Sequence, residues 1–128
     1  MKPLTHECVK KAENDFKVAS QILRRPKDRV PDAACFFCQQ CIEKYLKARL
    51  VEAGLPFPKT HDLCVLLNLC ATLEPTWQQF AKALDAITDY AVDFRYPGHS
   101  ATLREARTAM KHCCLIRAAV RHSLGLKT

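Results

Sequence analysis

Glycine and strand-forming runs are scarce in this chain. The sequence of 128 residues contains three glycines, and it lacks the runs of Val, Ile and Thr that are typical of strands. It also lacks an apolar stretch long enough to span a membrane, and no hydrophobic signal-peptide segment follows Met1. These absences argue against an all-β fold and against membrane insertion. We therefore expect an all-α protein in the cytoplasm, with no membrane as a partner.

The size and composition are those of one globular domain. With 48% hydrophobic and 26% charged residues, residues 1–128 are expected to form a single helical domain. A chain of this length buries roughly two-thirds of its unfolded surface, so it needs no disulfide or metal for stability. The net charge of +7 favours polyanionic partners, namely nucleic acid, nucleotides or an acidic protein. A charge that serves only solubility is the alternative.

Cysteine, in contrast, is abundant, with eight in the chain. Cys35, Cys38 and Cys41 match part of an iron–sulfur spacing. Three thiols at this spacing on a regular helix fan across about 120°, and no second Cys-x2-Cys pair follows. Free thiols that pack as small apolar side chains are the better explanation. We expect no metal and no cofactor, and a thiol metal or cluster site is a third hypothesis for the chain.

The longest helical signal predicts a helix from Pro31 to Ala53. Pro31 suits the first helical position, and Gly54 ends the helix. At 100° per residue, the face expected to enter the core carries Ala34, Phe37, Cys38, Cys41, Tyr45 and Ala48. The nearly opposite face carries Gln40, Lys44 and Lys47. We expect this second face to present one amide and two ammonium groups in a row.

The first half of the chain also contains two further helix signals. An apolar stripe predicts a helix over about residues 6–23, with Thr5 as its N-cap. A Pro-rich turn follows Gly54, and a short helix opens after it, with Thr60 as its N-cap and Asp62 at the positive end of its dipole.

The second half of the chain predicts two longer helices. Pro75 starts a helix over about residues 75–92. The capping box Thr102-x-x-Glu105 starts the last helix, which ends near residue 124. The prediction for the whole chain is an up-and-down antiparallel bundle of four main helices and one short helix.

Three motifs follow one another in order along the chain. They are Gln40-x2-Glu43-Lys44-x2-Lys47-Ala48, Lys59-Thr60-His61-Asp62-Leu63 and Phe94-Arg95-Tyr96-Pro97. This arrangement resembles the HEPN domain family, named for nucleotide-binding domains of higher eukaryotes and prokaryotes, over about residues 5–124. The resemblance implies a small helical bundle, usually a homodimer. Such domains are often encoded beside a minimal nucleotidyltransferase in toxin–antitoxin-like pairs.

The resemblance leaves catalysis open. Some family members are metal-independent endoribonucleases with an Arg-x4–6-His motif, whereas others bind nucleotide, RNA or a partner protein. Arg95 matches the motif arginine by position, but the next histidine is His99, one residue short of the nuclease spacing. A histidine beside an arginine supplies a base and a positive charge for cleavage. Pro97 and Gly98 form a turn between them that lets the two side chains converge.

Two other pairs fit the Arg-x4-His spacing. They are Arg107 with His112 and Arg117 with His122. Residues five apart on a helix lie about 140° apart, so neither pair shares a face within one chain. We assign a catalytic role to neither pair.

The candidate ligand-binding residues are Gln40, Lys44, Lys47, His61, Asp62, Arg95 and Tyr96. A cation next to an aromatic ring, as in Arg95-Tyr96, suits a nucleotide or an RNA base. Each assignment has a structural alternative. His61 and Asp62 also suit a helix cap, the two lysines also suit a solvated face, and Arg95 also suits a buried pair with Asp89 or Asp93.

A basic stripe on the last helix has the same two explanations. One side of this helix carries Arg104, Arg107 and Lys111. These three residues form either a solvated face or a nucleic-acid site.

We therefore predict a HEPN-type module that dimerises through helix faces. It binds nucleotide or RNA in a basic cleft near Lys44, Lys47 and Arg95, and pairs with a minimal nucleotidyltransferase-type partner in a toxin–antitoxin-like system. The alternative function is a metal-independent endoribonuclease toxin that uses Arg95 and His99 as catalytic residues.

Overall fold

The protein is built from helices. The computed structural model describes the backbone of residues 1–93 and 96–128 and the side chains of residues 1–90 and 96–128. Its helices are α1 (Pro3–Arg24), α2 (Pro31–Ala53), α3 (Leu63–Ala71), α4 (Ala81–Asp93) and α5 (Leu103–Ser123), with a 3₁₀ helix at Pro75–Phe80. The described part of the chain contains no strand, which confirms the predicted all-α bundle. None of the described helices combines the length and the apolar character needed to cross a bilayer.

Helix α2 is the centre of the bundle. Every other α-helix packs against it, and α1 and α5 make the most extensive contacts. Its predicted core face is buried, apart from a partly buried Phe37, but burial extends well beyond that face. The additional buried residues are Cys35, Gln39, Ile42, Glu43, Leu46 and Leu50. A helix covered from several directions has no single apolar stripe, so the expected division of α2 into one buried and one open face is wrong.

Helix α1 starts earlier than predicted. It begins at Pro3, where proline at the first helical position has no N–H that would need a partner. Thr5 is therefore not the N-cap and lies inside the first turn. It is buried, and its Oγ1 donates a hydrogen bond to Glu52 Oε1 at the end of α2, at 2.9 Å. The threonine thus ties the two ends of the α1–α2 hairpin together.

The predicted N-cap of the short helix is also wrong by two residues. Helix α3 is capped by Asp62, whose Oδ1 accepts the backbone N–H of Cys64 at 2.9 Å. Thr60 Oγ1 instead accepts the backbone N–H of Asp62 at 3.0 Å. Both residues still shape the turn, but the carboxylate takes the capping position because its side chain reaches the second helical N–H.

The predicted helix over residues 75–92 is two elements. Pro75–Phe80 forms a 3₁₀ helix, and α4 follows directly from Ala81. Trp77 on the 3₁₀ helix is 5% exposed, and Leu84 and Ile87 of α4 continue the core. The change of helix type is invisible in the apolar spacing because 3₁₀ and α turns place neighbouring residues almost alike over one turn.

Helix α5 begins as predicted. Thr102 and Glu105 exchange the two reciprocal hydrogen bonds of a capping box, at 3.0 and 2.9 Å. Just before it, the backbone N–H of Ala101 donates to Asp32 Oδ1 at 2.6 Å. Asp32 lies in the first turn of α2. The loop before α5 is therefore fastened to the end of the bundle where α2 begins.

The cysteines are free thiols that fill the bundle. Five of the eight are buried, namely Cys35, Cys38, Cys41, Cys70 and Cys113. Burial raises the pKa of Cys35 and of Cys70 to about 12, so both stay protonated at neutral pH. No three Cys, His, Asp or Glu side chains among the described residues are arranged to hold a metal ion. Cys35, Cys38 and Cys41 are fully buried and pack within the core.

Candidate functional site

A buried carboxylate organises the middle of α2. The side chain of Glu43 is 5% exposed, and its Oε2 accepts a hydrogen bond from Lys47 Nζ at 3.1 Å. Its Oε1 accepts from Gln39 Nε2 at 3.3 Å and lies 2.9 Å from His61 Nδ1. Gln39 Nε2 also donates to the backbone oxygen of His61 at 3.1 Å. These contacts fasten the connection before α3 to the central helix.

Gln39 is a residue that the sequence analysis missed. The motif directed attention to Gln40, whose Nε2 donates to Gln39 Oε1 at 2.7 Å. Gln39 itself is fully buried and contacts Glu43 one helical turn away. The i, i+4 spacing of an amide and a carboxylate was the available signal, but burial on that side of α2 was not predictable from the apolar face.

The two lysines of the motif already have acidic partners. Lys44 Nζ lies 2.5 Å from Asp15 Oδ2 on α1, and Lys47 pairs with Glu43. Their side chains are 29% and 21% exposed, and Lys47 also lies over the ring of Phe57 at 6.0 Å. The predicted row of open ammonium groups is thus largely neutralised within the chain. Their role in phosphate binding stays a prediction.

His61 and Asp62 differ in how far contacts within the chain already occupy their side chains. Asp62 caps α3 through Cys64, which is the structural role that we had set against ligand binding. His61 contacts Glu43 through Nδ1, yet its side chain is 82% exposed. The contact turns one ring nitrogen inwards and leaves the rest of the imidazole accessible to a ligand.

The loop before α5 presents an aromatic ring and an imidazole to solvent. Tyr96 is 62% exposed, and His99 is exposed as well. The backbone N–H of His99 donates to the oxygen of Tyr96 at 3.3 Å, across a turn in which Gly98 has a φ of 90°. Arg95 lies outside the described residues, and with it the geometry of the Arg95–His99 pair and the expected ion pair with Asp89 or Asp93.

The predicted residues do not form one cluster within a single chain. Ala101 is fastened to Asp32, so the loop with His99 lies near the start of α2. Lys44 is twelve residues further along that helix, which corresponds to about 18 Å. The Glu43 network and the His99 loop are therefore two separate places on the bundle.

Several cations at the His99 end have no acidic partner among the described residues. We call the following residues the basic end: Arg24, Arg25, Lys27 and Arg29 around the turn between α1 and α2, and Arg104 and Arg107 on α5. None of the six forms an ion pair with a described residue. Helices α2 and α5 begin at this end with the positive ends of their dipoles, and α1 ends there with its negative end.

Only part of the basic end was anticipated from sequence. The sequence predicted the stripe with Arg104 and Arg107 as a candidate site, but no role was assigned to the turn between α1 and α2. The loop before α5 is bonded to Asp32, which is only three residues after Arg29. Because consecutive Cα atoms are 3.8 Å apart, this bond holds the loop close to the turn between α1 and α2. The long-range bond from Ala101 to Asp32 is what joins the two groups of cations.

Arg117 takes part in a second ionic network, between α5 and α1. Its Nε and Nη2 donate to the two carboxylate oxygens of Glu13 at 2.6 and 3.2 Å, and its guanidinium lies 4.6 Å from the ring centre of Phe16. Burial raises the pKa of Glu13, but hydrogen bonds from Arg117 and from the hydroxyl of Tyr45 outweigh it, so the pKa falls below its usual value. Arg117 thus ties α5 to α1.

We predict that the buried carboxylate matters far more for stability than an exposed one at the same spacing. Glu43→Gln should lower the free energy of unfolding by about 2 kcal/mol, because it removes the charged partner of the half-buried Lys47 and weakens the hydrogen bonds that the buried carboxylate accepts. Glu7→Gln is the matched control, since Glu7 forms an i, i+4 pair with Lys11 in which both side chains are mostly exposed. It should cost about 0.3 kcal/mol. Urea denaturation of both variants measures the difference, and equal losses would contradict the assignment.

One protein-family model matches almost the whole bundle. The model described as HEPN domain matches residues 5–123, which spans α1 to α5 and all three sequence motifs. No curated protein and no solved structure matches the chain. The resemblance inferred from the motifs is thereby confirmed, and the chain belongs to the HEPN domain family.

Proposed function

We propose that this HEPN domain binds RNA or nucleotide phosphates at its basic end. The observation that carries the proposal is a group of unpaired cations beside the exposed loop with Tyr96 and His99. The cations on α2 are paired with Asp15 and Glu43, whereas the six cations of the basic end have no carboxylate partner among the described residues. An ammonium or guanidinium group that is not already neutralised gains more from a phosphate than one that is.

The exposed loop adds contacts of a second kind. Tyr96 offers a ring on which a base can stack, and His99 offers a ring nitrogen to a phosphate or a ribose hydroxyl. Both lie beside the start of α2 because Ala101 is bonded to Asp32. Phosphate contacts and stacking together are the combination by which proteins hold single-stranded RNA. Lys44, Lys47 and His61 would extend this surface only where a second chain brings them next to it.

We predict that the basic end accounts for RNA affinity. The double variant Arg104→Ala/Arg107→Ala should bind a single-stranded RNA about tenfold more weakly, and its log–log salt slope should fall by about 1.4, since two phosphate contacts are lost. Fluorescence anisotropy over a series of salt concentrations measures both quantities.

The control removes the same charge elsewhere. Lys10→Ala/Lys82→Ala changes exposed lysines on α1 and α4 that are not part of the basic end. It should keep the affinity within about twofold and leave the salt slope nearly unchanged. Equal losses in the two double variants would mean that net charge, and not a site, attracts the RNA.

We also propose that the domain acts as a homodimer with a minimal nucleotidyltransferase-type partner, in a toxin–antitoxin-like system. Membership of the HEPN family supports this part of the proposal. The expected outcome is that the tagged chain co-purifies, after co-expression, with a nucleotidyltransferase encoded beside it, and that light scattering gives the mass of a dimer for the chain alone. The tag on an unrelated helical protein is the control. A monomer that retains no such partner would refute the pairing.

Exposure of His99 at the basic end also favours the endoribonuclease alternative. We nevertheless expect binding without cleavage, because the Arg-x3-His spacing is one residue shorter than the nuclease motif. A metal-free cleavage assay compares the wild type with Arg95→Ala, His99→Ala and, as control, His6→Ala. Cleavage that is lost with Arg95 and with His99 but kept in the control would establish an enzyme instead.

A further inference from the structure

Sulfur atoms line the contact between α2 and α5. Cys38 Sγ on α2 lies 3.6 Å from Met110 Sδ on α5. The thiol of Cys38 is also hydrogen-bonded to the thiol of Cys113, and Cys113 is hydrogen-bonded to Cys41. We call Cys38, Cys41, Met110 and Cys113 the sulfur row. None of its members belongs to the basic end.

The sulfur row extends from the core to the surface of the bundle. Cys38, Cys41 and Cys113 are fully buried, whereas Met110 is partly exposed. The thioether is thus the member of the row that solvent reaches. The hydrogen bond with Cys113 and burial raise the pKa of Cys38, so its thiol is protonated at neutral pH. A ligand that bonds to the sulfur of Cys38 as a thiolate must therefore displace a proton.

Two sulfur atoms of the row are close enough to bond to one ion. A bond between a metal ion and a thiolate is about 2.3 Å long, so a single ion reaches two sulfur atoms that are 3.6 Å apart. The thiols of α2 alone diverge around the helix. Helix α5 supplies the other ligands, Met110 and Cys113, from the opposite side of the contact. The convergence of the sulfur atoms thus results from helix packing.

The chemistry of these ligands selects a soft ion. Thiolates and thioethers favour Cu(I), which does not need a fourth ligand. A structural zinc ion almost always takes four ligands from Cys, His, Asp and Glu, and no three such side chains among the described residues are arranged to hold a metal ion. One thiolate also balances the single charge of Cu(I). The resulting complex is neutral, which suits a buried position.

We propose that Cys38, Cys113 and Met110 bind one Cu(I) ion between α2 and α5. One thiol releases its proton to solvent and its sulfur bonds to the ion, while the other thiol and the thioether each donate a lone pair. No electron is transferred. The bound ion stabilises the contact between the two helices, because the unfolded chain does not hold these ligands together. The proposal does not rest on RNA binding at the basic end.

The test is a competition for Cu(I) between the fully reduced full-length chain and the coloured chelator bicinchoninate, without oxygen. We expect the protein to withhold about one equivalent of Cu(I) and to release about one proton, so that its affinity rises about tenfold per pH unit. Zn(II) should not be retained. If no Cu(I) is withheld, or if Zn(II) is retained as tightly, the proposal is overturned.

A pair of matched variants locates the ion. Cys38→Ala should lose the withheld equivalent. Cys70→Ala should keep it, because Cys70 is equally buried but its thiol donates to a backbone oxygen. Circular dichroism shows whether each variant folds. A folded Cys38→Ala variant that binds Cu(I) as tightly as the wild type would refute the assignment.

A third variant tests the thioether without emptying the core. Met110→Leu nearly conserves volume at a partly exposed position, so the fold should persist. Its affinity for Cu(I) should fall by about tenfold or more, since even indirect partners of a metal contribute this much. Unchanged affinity would show that Met110 is not a ligand and would overturn the proposed site.

The more accessible thiols require a control of their own. Cys8, Cys64 and Cys114 are not buried, and each could collect Cu(I) without forming a site. The triple variant Cys8→Ser/Cys64→Ser/Cys114→Ser should still withhold about one equivalent. Loss of that equivalent in the folded triple variant would mean that these thiols, and not the sulfur row, bind the ion.

Discussion

Helix α2 can lie at the centre of the bundle only because each of its buried polar side chains has a partner. A buried carboxylate without one would cost several kcal/mol. Glu43 meets Lys47, Gln39 and His61, and Tyr45 meets Glu13 and Arg121. These contacts reach α1, α5 and the connection before α3. The polar residues of α2 thus fix how the surrounding helices are placed, while its small and apolar residues supply the packing.

The need to pair buried polar groups also determines which cations are left without an acidic partner. Lys44 on α2 is paired with Asp15, and Arg117 on α5 is paired with Glu13. Cations at the turn between α1 and α2 and on the first turns of α5 have no such partner among the described residues. Six cations without an ion pair among the described residues thus lie together at one end of the molecule, although other unpaired lysines, such as Lys10 and Lys82, lie elsewhere. An electrostatic surface of this kind attracts phosphates over the distance that salt screening allows.

Local signals were sufficient for much of the fold. The spacing of apolar residues and the terminators Pro31 and Gly54 located α2 to the residue, and the capping box located the start of α5. The predicted N-caps were wrong where another residue close in sequence was also suited to start or cap the helix. Thr5 and Thr60 are both good N-caps, yet α1 already begins at Pro3, and Asp62 caps α3. Likewise, apolar spacing cannot separate a 3₁₀ turn from an α turn, so the break before α4 was missed.

The amino-acid order alone was enough for the helical class, the family and the identity of the motif residues, because periodicity and motifs are properties of neighbouring positions. It was not enough to say which motif residues are available to a ligand. That depends on contacts between segments far apart in the chain, such as Asp15 with Lys44 or Asp32 with Ala101. Ion pairing, burial and the joining of two basic segments arise only when the helices pack, so they belong to the tertiary structure.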